Sequence, residues 1–249
     1  MELRGKKVIV TGGVRGLGRS FVEALHLKEA VVAVFDINSQ GLAELREQYP
    51  KVKCIECDVA DYNQVIEATA NYHSEFKSAD ILINNAGILY SAPLVKLSMS
   101  GLEKHDVGMW NKTLETNLSS VFFMTACVAE QMIATRTKGV IVNISSISAG
   151  GNIGQSAYSA AKAGVNALTA TWAKELSTMG IRVVAVAPGF TETESTRQAL
   201  SESILQETIK KVPLRRLGKP QEIAQGVISV IENDFFNGKV YELDGGLVI

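Results

Sequence analysis

Short runs of β-branched residues, each nearly unbroken in its apolarity, alternate with longer helical patterns along the whole chain. The runs fall at Lys6 to Val10, Val31 to Phe35, Val52 to Cys57, Ile81 to Ile83, Gly139 to Ile144, Ile181 to Ala187 and Lys239 to Leu243. A strand with one wet face alternates polar and apolar residues. A strand that is apolar throughout is covered on both faces, as in a parallel sheet flanked by helices. Helical patterns lie between the runs, at Leu17 to Lys28, Gln40 to Gln48, Tyr62 to Phe76, Gly108 to Ala134, Ser156 to Met179 and Gln221 to Glu232, with a lid-like piece near Thr196 to Lys211. The repeated βαβ order predicts a doubly wound, Rossmann-type parallel sheet of about seven strands with helices on both faces. No linker, low-complexity tract or internal repeat interrupts residues 1–249, which therefore read as a single domain.

Composition narrows the class of partner. A formal net charge of −1 gives no electrostatic reason to expect nucleic acid or an anionic membrane surface. No apolar run reaches the ~18 to 20 residues that span a bilayer, and MELRGKK leads into the first strand without a secretory signal. The three cysteines, Cys54, Cys57 and Cys127, are too sparse for a disulfide framework, which points to a cytoplasmic location. Cys54 and Cys57 sit three apart in a predicted strand and so face opposite ways, and His26, His73 and His105 are scattered; no metal site is expected.

The loop after the first strand reads TGGVRGLG, Thr11 to Gly18. Gly12, Gly16 and Gly18 allow a tight turn, close approach of backbone to a pyrophosphate, and packing of the next helix on the sheet, while that helix offers N–H groups and a positive dipole end to phosphates. A glycine string alone says little; one between a strand and a helix is the informative context. The second run ends in Asp36, where a carboxylate accepts hydrogen bonds from ribose hydroxyls and repels a 2′-phosphate, favouring NAD over NADP. Arg15, inside the loop, argues the other way. The third run ends at Asp58-Val59, near the expected adenine position, and the fourth leads into Asn84-Asn85-Ala86-Gly87, where the Asn side chains are as suited to backbone support as to ligand binding.

Ser145 to Lys162 carries the chemistry. The strand ending at Ile144 delivers Ser145 and Ser146, and a helix then brings Tyr158 and Lys162, at a spacing of four, onto one face. A nearby cation favours a phenolate and moves a tyrosine toward the working pH range, and a strand-end hydroxyl can hold a substrate oxygen. The set suits proton transfer to or from an alcohol or carbonyl.

TGGVRGLG, NNAG, the serine, Tyr-x-x-x-Lys and Pro188-Gly189 occur in this order over nearly all of the chain, which thereby resembles the short-chain dehydrogenase/reductase family. The resemblance implies a nicotinamide cofactor and reversible hydride transfer to a carbonyl carbon. It makes Tyr158 the general acid/base, with Lys162 lowering its pKa and holding the nicotinamide ribose. A serine would hold the substrate oxygen, and Asn117 in ETNLSS would support a water-linked proton path. The register of NISS selects Ser146 as that serine, with Ser145, reached by counting back thirteen from Tyr158, as the alternative. The resemblance sets Gly12, Arg15, Gly16, Leu17, Gly18, Asp36, Ile37, Asp58, Val59, Asn85, Ala86, Gly87, Pro188, Gly189, Thr191 and Thr193 along the dinucleotide, with Tyr158 and Lys162 at its nicotinamide end. It also implies a homo-oligomer, a tetramer or dimer, to which the apolar pattern SSVFFMTACVAEQMI adds weight.

Two segments concern the substrate. LVKLSMSGLEKHDVGMW, between Gly87 and Asn117, makes the chain longer here than the shortest family members and reads as surface decoration or a wall of the substrate mouth. Thr191 to Lys211 reads as a lid, and Asn152, Ile153 and Gln155 as the remaining wall. The leading expectation is an NAD-dependent enzyme interconverting a secondary alcohol and a ketone. The alternatives are an NADPH-dependent 3-oxoacyl-thioester reductase and a non-catalytic dinucleotide-binding sensor or scaffold.

Overall fold

The β-branched runs pair side by side, all in parallel, because each buries both of its faces. The computed structural model describes residues 1–99, 101–199 and 202–247; Ser100 of the expected insertion and Leu200 and Ser201 of the expected lid lie outside the described residues. Seven strands form one sheet: β1 (Lys7–Thr11), β2 (Val31–Asp36), β3 (Lys53–Glu56), β4 (Ile81–Asn84), β7 (Gly139–Ile144), β8 (Ile181–Pro188) and β9 (Val240–Leu243). Their order is β3-β2-β1-β4-β7-β8-β9. Two further strands, β5 (Val95–Ser98) and β6 (Gly101–Lys104), form a separate antiparallel hairpin.

Successive residues of each strand supply opposite cores. Val8 and Val10 with Val32, Val34, Ile81 and Ile83 pack under α1 (Gly16–Leu27), α2 (Ser39–Gln48) and α9 (Pro220–Glu232), through Phe21, Leu25, Leu45, Val227 and Ile231. Ile9, Ala33, Phe35, Leu82 and Ile141 face the other way, against α3 (Tyr62–Phe76), α5 (Ser120–Ala134) and α6 (Ser156–Leu176). This period of two is why the runs lack polar interruptions. Helix ends carry local signals: Asp61 caps α3 by accepting from the Asn63 and Gln64 N–H groups, Pro220 opens α9, and Gly180 takes a left-handed φ of 77° after α6.

One expected helix is not continuous. The stretch from Gly108 to Ala134 divides into α4 (Val107–Leu114), a π-helical turn at Glu115–Ser119, and α5. Such turns mark places where a helix is locally over-wide, and this one carries Asn117. The lid stretch forms α7 (Glu194–Ala199) and α8 (Glu202–Lys211). The chain leaves β1 toward β2 and β3 on one side and runs through β4 to β7, β8 and β9 on the other. The sheet thus has its topological switch point between β1 and β4, and it is outside the carboxyl ends of the strands at such a point that open α/β sheets bind ligands.

Candidate active site

The glycine loop lies at that switch point, between β1 and α1. Gly12 has φ +66° and donates its N–H to the Phe35 carbonyl at 2.8 Å, and a Cβ on Gly18 would stand 2.0 Å from the Gly12 carbonyl oxygen, so only glycine fits at Gly18. Asn85 locks the loop to β4: its Nδ2 donates to the carbonyls of Thr11 and Gly12, both at 2.9 Å. Thr11, which sequence reasoning passed over, accepts the Asn85 and Ala86 N–H groups on its hydroxyl, each at 3.0 Å. Arg15 precedes α1 without capping its first turn, and a Cβ on Gly16 would meet nothing within 4 Å. An uncapped helix start beside open space, in a glycine-lined loop, fits the pyrophosphate of a dinucleotide.

Asp36 lies at the end of β2, 8% exposed, with Oδ2 accepting the Val14 N–H at 3.2 Å and Oδ1 accepting the Asn38 N–H at 3.0 Å. Its charge is therefore fixed beside the loop, whereas Arg15 is exposed. Asp58 accepts the Ala60 N–H at 2.9 Å, and Val59 is buried. Ile37 is exposed and Leu17 half-buried. The tandem asparagines have different roles. Asn84 is buried under the site, donating to Asn143 Oδ1 at 2.9 Å and Thr125 Oγ1 at 3.0 Å, and Asn143 donates onward to Thr169 Oγ1 at 2.9 Å. A polar residue at or near the end of two adjacent apolar runs, ILIN and GVIVNI, was the legible sign of this buried amide pair.

Ser145 and Ser146 leave β7 in opposite directions. Ser145 is 2% exposed and turns inward, its hydroxyl donating to the Lys162 carbonyl at 3.4 Å. Ser146 is half-buried, accepts the Ser148 N–H at 3.1 Å, and stands near enough to the Tyr158 side chain to pull its pKa down. Tyr158 and Lys162 project from the first turns of α6. Lys162 is 4% exposed, and its Nζ donates to the Ile144 carbonyl at 2.7 Å and lies 5.7 Å from the centroid of the Tyr158 ring. Burial lowers Lys162 to about 8. Burial also raises Tyr158 above its ordinary value, with the nearby Ser146 hydroxyl pulling the other way. The lowering of the tyrosine expected from its cationic neighbour is not found here; burial sets the direction of the shift.

Asn117 is fully buried and clasps the exit of β4. Its Oδ1 accepts the Ile88 N–H at 2.8 Å and its Nδ2 donates to the Ile88 carbonyl at 2.7 Å. A Cβ on Gly87 would stand 3.2 Å from that Oδ1. The amide is therefore committed to backbone. At the end of β8, Gly189 donates to the Leu243 carbonyl at 2.9 Å and packs so closely on Asp244 that a Cβ would fall 2.7 Å from its Cα. Thr191 is buried with its hydroxyl on the Gly189 carbonyl at 3.1 Å, and the Thr193 hydroxyl accepts the Thr196 N–H at 3.2 Å as α7 begins. Pro188 adjoins Leu243 in register. The insertion is a hairpin, and Ala92 at its base donates to the Gly154 carbonyl at 2.7 Å, beside the expected wall.

A glycine cradle at the switch point and a serine, tyrosine and lysine at the next strand's end define a dinucleotide-dependent oxidoreductase. The sequence profile described as short chain dehydrogenase matches residues 6–203, and the chain belongs to that family. It is 38% identical, over all of both chains, to 3-oxoacyl-[acyl-carrier-protein] reductase FabG of Thermotoga maritima. It is 35% identical to the proteins of the same name from Chlamydia trachomatis, over 98% of each chain, and Salmonella typhimurium, over 99% of each. Among solved structures, the crystal structure of gox2181 superposes with a TM-score of 0.86 at 30% identity, covering 98% of this chain and 97% of that one.

Proposed function

We propose that the chain reduces a 3-oxoacyl thioester to the 3-hydroxyacyl thioester, using NADH. The observation that carries the chemistry is the convergence of Ser146, Tyr158 and Lys162 at the end of β7. The names of the full-length relatives support the substrate class. They favour it over the wider class of secondary alcohols and ketones to which the motifs alone point. The fixed carboxylate of Asp36 supports NAD, because a 2′-phosphate placed near it would meet like charge.

The glycine loop and the start of α1 would hold the pyrophosphate, Asp36 the adenosine ribose, and Pro188, Gly189 and Thr193 the carboxamide end. When bound, the dihydronicotinamide supplies the hydride that reduces the carbonyl carbon. The Ser146 hydroxyl donates a hydrogen bond to the carbonyl oxygen and so favours the negative charge that develops there. Tyr158, kept as a neutral phenol by burial, gives its proton to that oxygen. The Lys162 ammonium, tethered to the Ile144 carbonyl, stabilises the tyrosinate left behind. α7 and α8, which follow the Pro188-Gly189 turn in the chain, would cover the site and exclude water.

Oxidation of NADH and of NADPH by purified protein, with acetoacetyl thioester as acceptor, tests this reading. Turnover with NADH supports it; no turnover of any 3-oxoacyl thioester, against activity on other ketones, overturns the substrate class.

The same proposal extends to the setting. The chain works as one domain and as a homo-oligomer, for which a groove lined by Leu118, Phe122, Phe123 and Leu168 on the outer side of α5 and α6, with Phe122 50% exposed, offers an apolar face. Free thiols at Cys54, Cys57 and Cys127 suit a cytoplasmic location, and no helix among the described residues is long and apolar enough to cross a membrane. Sedimentation at micromolar concentration tests the oligomer; a monomer overturns it.

A further inference from the structure

The β5-β6 hairpin is joined to the candidate active site by one histidine. In the ribbon, Val95, Leu97 and Leu102 lie on one side, while Lys96 and Glu103 form an ion pair at 2.8 Å on the other. A two-stranded ribbon is marginal by itself, so its anchorage decides where it sits. His105 provides that anchorage. Its N–H donates to the Leu94 carbonyl at 2.8 Å, closing the hairpin, and its ring stands edge-on to Tyr90 at 5.3 Å. Its Nδ1 lies 3.1 Å from the Ala92 carbonyl oxygen. A carbonyl only accepts, so Nδ1 carries the proton.

Ala92 faces both ways. With its carbonyl held by His105, its N–H donates to the Gly154 carbonyl at 2.7 Å. Next to it, Gln155 Nε2 donates to Ser91 Oγ at 3.4 Å. Gly154 adopts φ +77°, and a Cβ there would already touch the Ala92 backbone at 3.7 Å. Residues 151–155 join the turn that follows Ser146 to the helix that carries Tyr158, and Gln155 occupies the N-cap position of that helix. One feature is costly for a merely structural ring: Nε2 of His105 is buried with no hydrogen-bond partner among the described residues, where a phenylalanine would stack on Tyr90 and strand nothing.

We propose that His105 is a positioning residue: by holding Ala92 against Gly154 it makes the hairpin the support of the loop 151–155, and so sets the wall against which the carbonyl substrate lies beside Tyr158. This rests on the oxidoreductase reading of Ser146 and Tyr158. His105 touches neither of those residues and acts through Ala92.

The test uses His105→Phe, which keeps the ring and removes the Nδ1 donor, and His105→Asn, whose amide N–H offers a donor at similar reach. Hydrogen exchange is followed at Ala92 and over 151–155, alongside steady-state kinetics with acetoacetyl thioester and NADH. In His105→Phe, exchange at both places is expected to quicken about tenfold and KM for the thioester to rise about fivefold, with kcat and KM for NADH within about twofold of wild type. His105→Asn is expected to restore both. Unchanged exchange in His105→Phe overturns the proposal, as does a loosened loop with unchanged thioester KM. It is also overturned if both KM values rise together with a fall in Tm, the mark of general destabilisation. If wild-type protein turns over no thioester, the proposed substrate fails separately, and the same comparison is made with whichever ketone it does reduce. Wild-type protein inactive on every ketone sinks the oxidoreductase reading and this inference with it.

Discussion

Lys162 holds its ammonium 5.7 Å from the ring centroid of Tyr158 while tied to the Ile144 carbonyl at 2.7 Å. The cation is thus anchored to the strand that delivers Ser146, and it approaches the phenol from the ring side. Burial lowers the lysine to about 8 and raises the tyrosine, so near neutral pH both carry their protons. A site in this state is set to give a proton, which is what carbonyl reduction requires.

The pH dependence follows. Lys162 is a cation below about 8, so kcat/KM for reduction should fall as pH rises through that value, and Lys162→Arg should move or flatten the fall because arginine keeps its charge. The effect on stability has the opposite sense. The folded pKa lies below the ordinary 10.5, so the unfolded chain binds more protons between about 8 and 10.5. The penalty is complete below about pH 8 and disappears as pH rises toward 10.5. Lys162→Met should therefore raise Tm by about 2 to 4 °C at pH 7, with the gain shrinking toward pH 10, while activity is lost. A Tm gain independent of pH would refute the assignment.

Tyr158→Phe removes the proton donor and leaves the ring. A loss of about a thousandfold or more in kcat is expected, with dinucleotide affinity, read by fluorescence titration, unchanged. Near-normal kcat would remove Tyr158 from the mechanism.

The two serines should separate cleanly. Ser146→Ala removes the hydroxyl that meets Tyr158 and should lower kcat about a hundredfold. Ser145→Ala removes an inward hydroxyl bonded to the Lys162 carbonyl and should lower kcat less than about fivefold, at a stability cost of about 1 kcal/mol. Equal losses in the two variants would contradict the assignment of the substrate-facing hydroxyl.

In the sequence that distinction rested on the register of NISS alone, with Ser145 left as the alternative, and the reason is geometric. Two serines at a strand end point to opposite sides, but which side faces the phenol depends on how α6 packs on β7. The seven strands were legible because burial of both faces leaves an unbroken apolar run, and the cradle was legible because Gly12 and Gly18 each satisfy a backbone demand that other residues cannot. The hairpin was hidden because its strands are short and leave Leu97 and Leu102 exposed, so no pattern of burial marks them. The π turn at Asn117 and the rise in the Tyr158 pKa arise from packing between helices and strands distant in sequence.

Under the proposed function, the carboxylate of Asp36 selects NADH over NADPH. Asp36→Asn keeps an acceptor for one of the Val14 and Asn38 N–H groups and removes the charge. The ratio of kcat/KM for NADH to that for NADPH should fall about tenfold or more. An unchanged ratio would place discrimination elsewhere, with Arg15 next to be replaced.

Gly18→Ala tests the cradle by volume. The added Cβ would stand 2.0 Å from the Gly12 carbonyl oxygen and 2.5 Å from Asn85 Nδ2, so either the loop or the start of α1 must move. Both neighbours are held, since Gly12 donates to Phe35 and Asn85 donates to Thr11 and Gly12. The clash therefore opens the joint between β1 and β4 at the switch point. A loss of about 3 kcal/mol or more of stability is expected by urea unfolding, with dinucleotide affinity falling at least about tenfold in protein that still folds. Gly16→Ala is the matched control. Its Cβ would meet nothing within 4 Å, but its φ is +57°, so it should cost about 1 kcal/mol from backbone strain and leave the β1-β4 joint closed. If Gly18→Ala were no more harmful than Gly16→Ala, the close packing at the switch point would not be what positions the cradle.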